Sequence, residues 1–191
     1  MNMSQNYTRF TSRVALLLLL TGCQLKPEAY EKNTPKFVFE DFFSGPLCAK
    51  GVVKEGNETL IRKFKAAING YTKDDLVYLD EIFVFDDGEI QTRLWQFSKQ
   101  EQGYAGSAGD VVGRAHGNTF GDSFNLKYRL AINIDGESWV ISMDDWLHLI
   151  DENTLMGTTK MSKWGLDVGR IDIYIERVKT TESCGIGNGR R

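Results

Sequence analysis

Residues 128–146 read YRLAINIDGESWVISMDDW, and this stretch decides the fold. Asp135-Gly136 separates two runs of alternating polarity. Asp-Gly suits a two-residue type I′ turn, in which both residues take positive φ. Such a turn pairs Ile134 with Glu137, Ile132 with Trp139, Leu130 with Ile141 and Tyr128 with Met143. Seven of these eight side chains are apolar, and strand geometry puts all of them on one face. The other face carries Lys127, Arg129, Asn133, Ser138, Ser142 and Asp144. One face is therefore buried and the other wet, and a one-residue slip would exchange them. The same register sets Asp145 on the apolar face, opposite Leu126, where a carboxylate must be paired, hydrogen-bonded or near a barrel mouth.

Away from the hairpin the apolar period is again two rather than 3.6. Candidate strands span 36–43, 47–54, 59–69, 76–86, 89–98, 110–117, 124–134, 138–150, 155–163 and 167–178. The segment TLIRKFKAAING (59–70) has no clean helical stripe and reads as a strand. A second hairpin turns at Asp87-Gly88. With a two-residue turn it pairs Phe85 with Ile90, Phe83 with Thr92 and Glu81 with Leu94, while a longer turn would also take in Asp86 or Glu89. Either way Glu81 is a second acid on a mostly apolar face. Short strands joined by tight turns predict an all-β chain, an antiparallel meander closing into a barrel of about 8–10 strands.

The N-terminus predicts an address. Residues 1–22 hold Arg9 and Arg13 but no acid, and Val14–Leu20 is too short to span a bilayer, which takes about 20 apolar residues. These are the marks of a signal peptide. Its end, Leu20-Thr21-Gly22-Cys23, resembles the bacterial lipobox. That resemblance implies cleavage before Cys23 and acylation of Cys23, with several acyl chains giving a stable membrane anchor. Gln24, where an Asp would favour inner-membrane retention, points to the periplasmic face of the outer membrane. Residues 23–35 then form a tether, 36–178 the barrel domain, and the Gly-rich residues 179–191 a disordered tail.

Losing Arg9 and Arg13 takes the formal charge from −3 to −5. An acidic domain without a basic run excludes nucleic acid as the expected partner. Of the three cysteines, Cys48 and Cys184 are left, either as a disulfide or as a buried Cys48 and a loose Cys184. No Cys/His spacing suits zinc, and no metal or other cofactor is expected. No Gly-x-Ser-x-Gly elbow accompanies the two histidines, His116 and His148, so no catalytic residue is assigned. Adjacent Asp144 and Asp145 point to opposite faces of their strand and cannot act together.

Charged residues in or beside strands are the remaining signal: Glu81, Arg93, Asp110, Arg114, Asp145, Lys160 and Lys163. A barrel can close some of them into a network, with Asp145 or Glu81 meeting Arg114. Such a network either fixes strand register as a buried ion pair or anchors the polar end of a ligand in an apolar pocket. Glu81, Arg93, Arg114, Asp145, Tyr128, Trp139 and Met143 are the expected pocket residues. Gly113, Ala115 and Gly117 share one face, for a tight bend or for a ligand lying against the backbone.

YEKNTPKFVFEDFFSGPLCAKGVV, LDEIFVFDDGEIQTRLW, YAGSAGDVVGRAHGN and DDWLHLIDENTLMGTTKMSKWGLDVG together resemble an uncharacterised family of proteobacterial lipoproteins, a domain of unknown function, over about residues 30–178. More loosely, FFSG near the first strand is similar to outer-membrane bacterial lipocalins, although Leu47 stands where their Gly-x-Trp tryptophan is expected. This implies a calycin/lipocalin-like barrel. The expected role is non-catalytic binding of a lipid or apolar small molecule in the periplasm. The alternatives are an envelope protein–protein interaction module with a solid β-core and an enzyme acting on a lipid-like substrate. The expected partners are the membrane, through the acyl chains on Cys23, and a lipid or apolar ligand; no protein partner is indicated.

Overall fold

The structure is a computed structural model that describes residues 27–134 and 136–186. Cys23 and the signal segment lie outside the described residues. Ten antiparallel strands form one closed barrel. They are β1 (Gly45–Glu55), β2 (Leu60–Lys73), β3 (Leu76–Phe85), β4 (Ile90–Lys99), β5 (Tyr104–Ser107), β6 (Ala115–Phe120), β7 (Ser123–Ile134), β8 (Glu137–Asp151), β9 (Thr154–Lys163) and β10 (Leu166–Arg177). Each pairs with its sequence neighbours, and β1 closes on β10 from Leu47↔Arg177 to Glu55↔Gly169. Closure pairs every strand on both sides, although short β5 and β6 reach only Gln96–Lys99 of β4 and Ser123–Lys127 of β7.

The deciding hairpin has the register its sequence predicts, from Ile134↔Glu137 to Leu126↔Asp145. The second hairpin is shifted by one residue. Phe85 donates its N–H to the Glu89 carbonyl, and Gly88 sits at φ 88°, so three residues, Asp86 to Gly88, make the turn. A three-residue loop ending in a left-handed glycine is a common hairpin connection. In this register Glu81 faces Arg93 rather than Leu94.

Three expectations along the chain are also corrected. Residues 36–43 are not a strand; Phe39–Phe42 form a single helical turn, α1. Phe39, Phe42 and Phe43 stand at helical spacing, and with Phe37 they are buried at one end of the barrel. There Phe39 meets Phe97, Tyr104 and Phe124 with ring centroids 4.8–5.0 Å apart. Residues 110–114 are not part of a strand; β6 begins at Ala115, and β5 is an additional short strand. Residues 179–186, expected in a disordered tail, lie against the outer wall, with a 3₁₀ turn at Thr181–Cys184 and a Cys48–Cys184 disulfide. Tyr30, in the expected tether, packs on Trp146 and His148.

The aromatic plug fills the end at which the chain enters. At the far end are the connections 56–59, 86–89 and 164–165, Gly136, and the segment 108–114. Inward-facing residues in the plugged half, such as Leu47, Ala66, Phe97, Phe124 and Leu155, are fully buried. In the far half Phe83, Ile132, Trp139, Met161 and Ile171 also face inward, yet all are partly exposed. The interior is therefore tightly packed at the plugged end, while at the far end its apolar side chains cluster around Leu130, Ile141 and Met143 and stay partly exposed.

Candidate functional site

The inward rows of β3, β4, β7, β8 and β9 converge where the packed half meets the far half. Glu81 pairs across the sheet with Arg93, and Asp145 is flanked by Leu126 on β7 and Thr159 on β9. Arg93 donates from Nε and Nη2 to Asp110 Oδ2 at 2.9 and 2.8 Å, and its Nη1 lies 4.0 Å from Glu81 Oε2. Asp110 reaches inward because its segment docks on β7: Ala131 donates to the Asp110 carbonyl, and Val112 to that of Arg129. Thr159 stands directly opposite Asp145 across the sheet, Tyr128 lies beside it, and Asp145 Oδ1 is sealed from solvent without a partner.

Glu81 and Asp110 thus share one guanidinium, with the Asp145 carboxyl within reach of its charge. Burial pushes Glu81 up to about 7, against the pull of Arg93. Burial likewise raises Asp145 to about 7, and the hydrogen bond from Thr159 and the charge of Arg93 offset this only in part. Burial raises the Tyr128 hydroxyl well above its ordinary value, with the Asp145 charge adding to the effect. For Arg93, Asp110 and Glu81 more than compensate for desolvation and keep it charged. At pH 7 the floor is therefore a polar cluster in which Glu81 and Asp145 are each about half protonated.

Of the pocket residues expected from sequence, Glu81, Arg93, Tyr128 and Asp145 come together, and Met143 lies beside them opposite Tyr128. Trp139 is nearer the far end, with Lys163 Nζ 2.8 Å from its ring centroid. Arg114 does not join. It is exposed on the outside, in a groove with His116, Lys127 and Asp144, so the expected pairing of Arg114 with Asp145 or Glu81 is replaced by Arg93. The sequence reading leaves out Thr159, although the period of β9 through Leu155 and Gly157 places it inward.

A Ser–His–Asp group does occur outside the lumen. Ser123 Oγ lies 2.7 Å from His148 Nδ1 and donates to Asp122 Oδ1 at 2.8 Å. The order is wrong for a nucleophilic triad, because the serine rather than the histidine is central. Ser123 is also wholly buried, so no substrate reaches it. Among the described residues, no three His, Cys, Asp or Glu gather to hold a metal ion.

Fold and site together define a plugged, closed antiparallel barrel with a buried polar floor beneath a partly exposed apolar end. The chain belongs to a family of proteins of unknown function (DUF3833), whose model matches residues 17–177. No curated protein matches it.

Proposed function

We propose that this barrel is a non-catalytic binding protein that holds a lipid or other apolar small molecule in its far half. The observation that carries this reading is the partial exposure of Phe83, Ile132, Trp139, Met161 and Ile171, apolar side chains that face the interior of a closed sheet. Water against such a surface is unfavourable by about 25 cal/mol per Å², and an apolar ligand displaces it. The floor of Arg93, Tyr128 and Asp145 supplies the few polar groups that orient a ligand in an otherwise apolar site.

The location proposed for it is the periplasmic face of the outer membrane, through acyl chains on Cys23. The Cys48–Cys184 disulfide is consistent with an oxidising compartment. Native mass spectrometry of the protein purified gently from cell envelopes tests the binding role. A bound mass that leaves on organic extraction is expected; a bare polypeptide mass, unchanged after incubation with envelope lipid extract, would overturn it. The anchor is tested by Cys23→Ser, which should move the protein from the membrane fraction to the soluble fraction.

A second reading has its own observation. Leu60, Ile61, Ile90, Trp164 and Leu166 ring the far end and are exposed, Trp164 at 87%. An apolar rim of this kind favours docking against another envelope protein. Crosslinking from Trp164→Cys to one stoichiometric partner, with an empty barrel, would favour the interaction module over the ligand carrier.

A further inference from the structure

A groove of about 680 Å³ lies on the outer wall of the barrel, away from the lumen. It runs over β9, β10, β1, β2 and β3, and its floor is Val52, Val84, Met156 and Tyr174. Across it the register sets Tyr174 opposite Lys50, Lys50 opposite Lys65, and Lys65 opposite Val84. Lys63 stands in the next row, opposite Val52. Two lysines directly opposite on one face of a sheet repel each other, and nothing in the fold itself requires the arrangement.

The carboxylates nearby neutralise it only in part: Glu176 pairs with Lys50, and Asp86, which also lines the groove, accepts a hydrogen bond from the Lys63 backbone N–H. Glu176 lies 3.5 Å from Lys50, and Asp172 is engaged by Lys54 at 2.7 Å and by Thr158. Among the described residues, neither Lys63 nor Lys65 has an acidic partner within ion-pair distance. The groove also has a built wall. The C-terminal segment passes along it at Gly185, where an added Cβ would lie 3.7 Å from Lys65 Nζ, and the Cys48–Cys184 disulfide holds that segment in place.

We infer that this groove is a second binding site, for a single-chain amphipathic anion. Its head is held by Lys63 and Lys65, and its chain lies on Val52, Met156 and Tyr174. Met156 is 53% exposed, so the floor is uncovered. The charges select an anion, the floor selects an alkyl chain, and the walled, concave shape selects an individual molecule over a flat bilayer surface. The site is independent of the lumen.

The test is calorimetric titration of the full-length protein with octyl phosphate, inorganic phosphate and octanol. Octyl phosphate should bind at least about tenfold more tightly than either fragment, since charge-assisted hydrogen bonds and chain burial act together. Lys63→Gln/Lys65→Gln should lose about tenfold or more of that affinity. The same double charge removal at Lys127 and Lys160, exposed elsewhere on the wall, should leave the affinity unchanged. Equal loss in both doubles, equal affinity for inorganic phosphate, or no binding would each overturn the inference. Octyl phosphate binding that survives Lys63→Gln/Lys65→Gln would also overturn it, and would assign the binding to the lumen instead.

Discussion

Arg93 Nε and Nη2 both donate to Asp110 Oδ2, at 2.9 and 2.8 Å, from the inner face of β4 to a segment outside the strands. This joins the loop 108–114, where β5 and β6 leave the barrel wall without a full-length strand, to the charged floor of the lumen. One side chain therefore ties the loop to the wall and supplies the cation of the interior.

Removing that side chain leaves buried charges uncompensated. Arg93→Met should destabilise the protein by about 3–5 kcal/mol, because Glu81 and Asp110 lose their only cation among the described residues. Denaturant unfolding measures this. Adding Glu81→Gln and Asp110→Asn to Arg93→Met should recover much of the loss.

Glu81 and Asp145 set a pH dependence whose sign follows from their raised values. Each holds its proton to about pH 7 in the folded barrel and releases it near its ordinary carboxylate value when unfolded. Their contribution to stability is present below about pH 4 and is lost as pH rises through about 7. The protein should therefore be less stable at pH 8 than at pH 5 by a few kcal/mol, since each tenfold difference in proton affinity between the folded and unfolded chain is worth roughly 1.4 kcal/mol. Glu81→Gln with Asp145→Asn should flatten the curve between these pH values. An unchanged slope in the double variant would show that other groups carry it.

The aromatic plug is expected to be the most sensitive apolar site. Phe39 is 1% exposed and touches four aromatic rings, so Phe39→Ala should cost about 3–5 kcal/mol. Gly70→Ala tests the same joint from the wall, because its Cβ would be driven into the carbonyl of Phe43. Thermal melts should show both variants below the parent.

The disulfide spans 136 residues of sequence, and its loss removes a constraint on the unfolded chain. Cys48→Ser with Cys184→Ser should cost about 2–5 kcal/mol. It should also release the segment through Ile186 from Ala67 and Val178, which hydrogen exchange of residues 179–186 would register.

Much of the wall was legible because a strand's two-residue period is local. The hairpin at Asp135-Gly136 needed no tertiary knowledge: any slip turns Ile132 and Leu130 outward and Arg129 inward. The hairpin at Asp87-Gly88 was legible only to within a residue. Its sequence admits two loop lengths, and Arg62, which binds Asp87 and Glu89 from the neighbouring strand, belongs to the tertiary setting. Residues 36–43 misled because FVFEDFF is rich in the aromatic and β-branched residues that strands favour, whereas the apolar demand there is to fill one end of a barrel. A helical turn meets that demand by placing Phe39, Phe42 and Phe43 together.

The sequence by itself determined an all-β chain, the inward orientation of Glu81 and Asp145, and the predominance of apolar side chains around them, because each follows from alternation along a single strand. It did not determine which cation meets those acids. Arg93 and Arg114 are equivalent as sequence, and only closure of ten strands, with β6 beginning at Ala115, put one inside and left the other exposed. The pairing of Cys48 with Cys184 and the meeting of Lys50 with Lys65 were decided in the same way. Both depend on which strands become neighbours and where the tail returns, and those distances exist only once the barrel has closed.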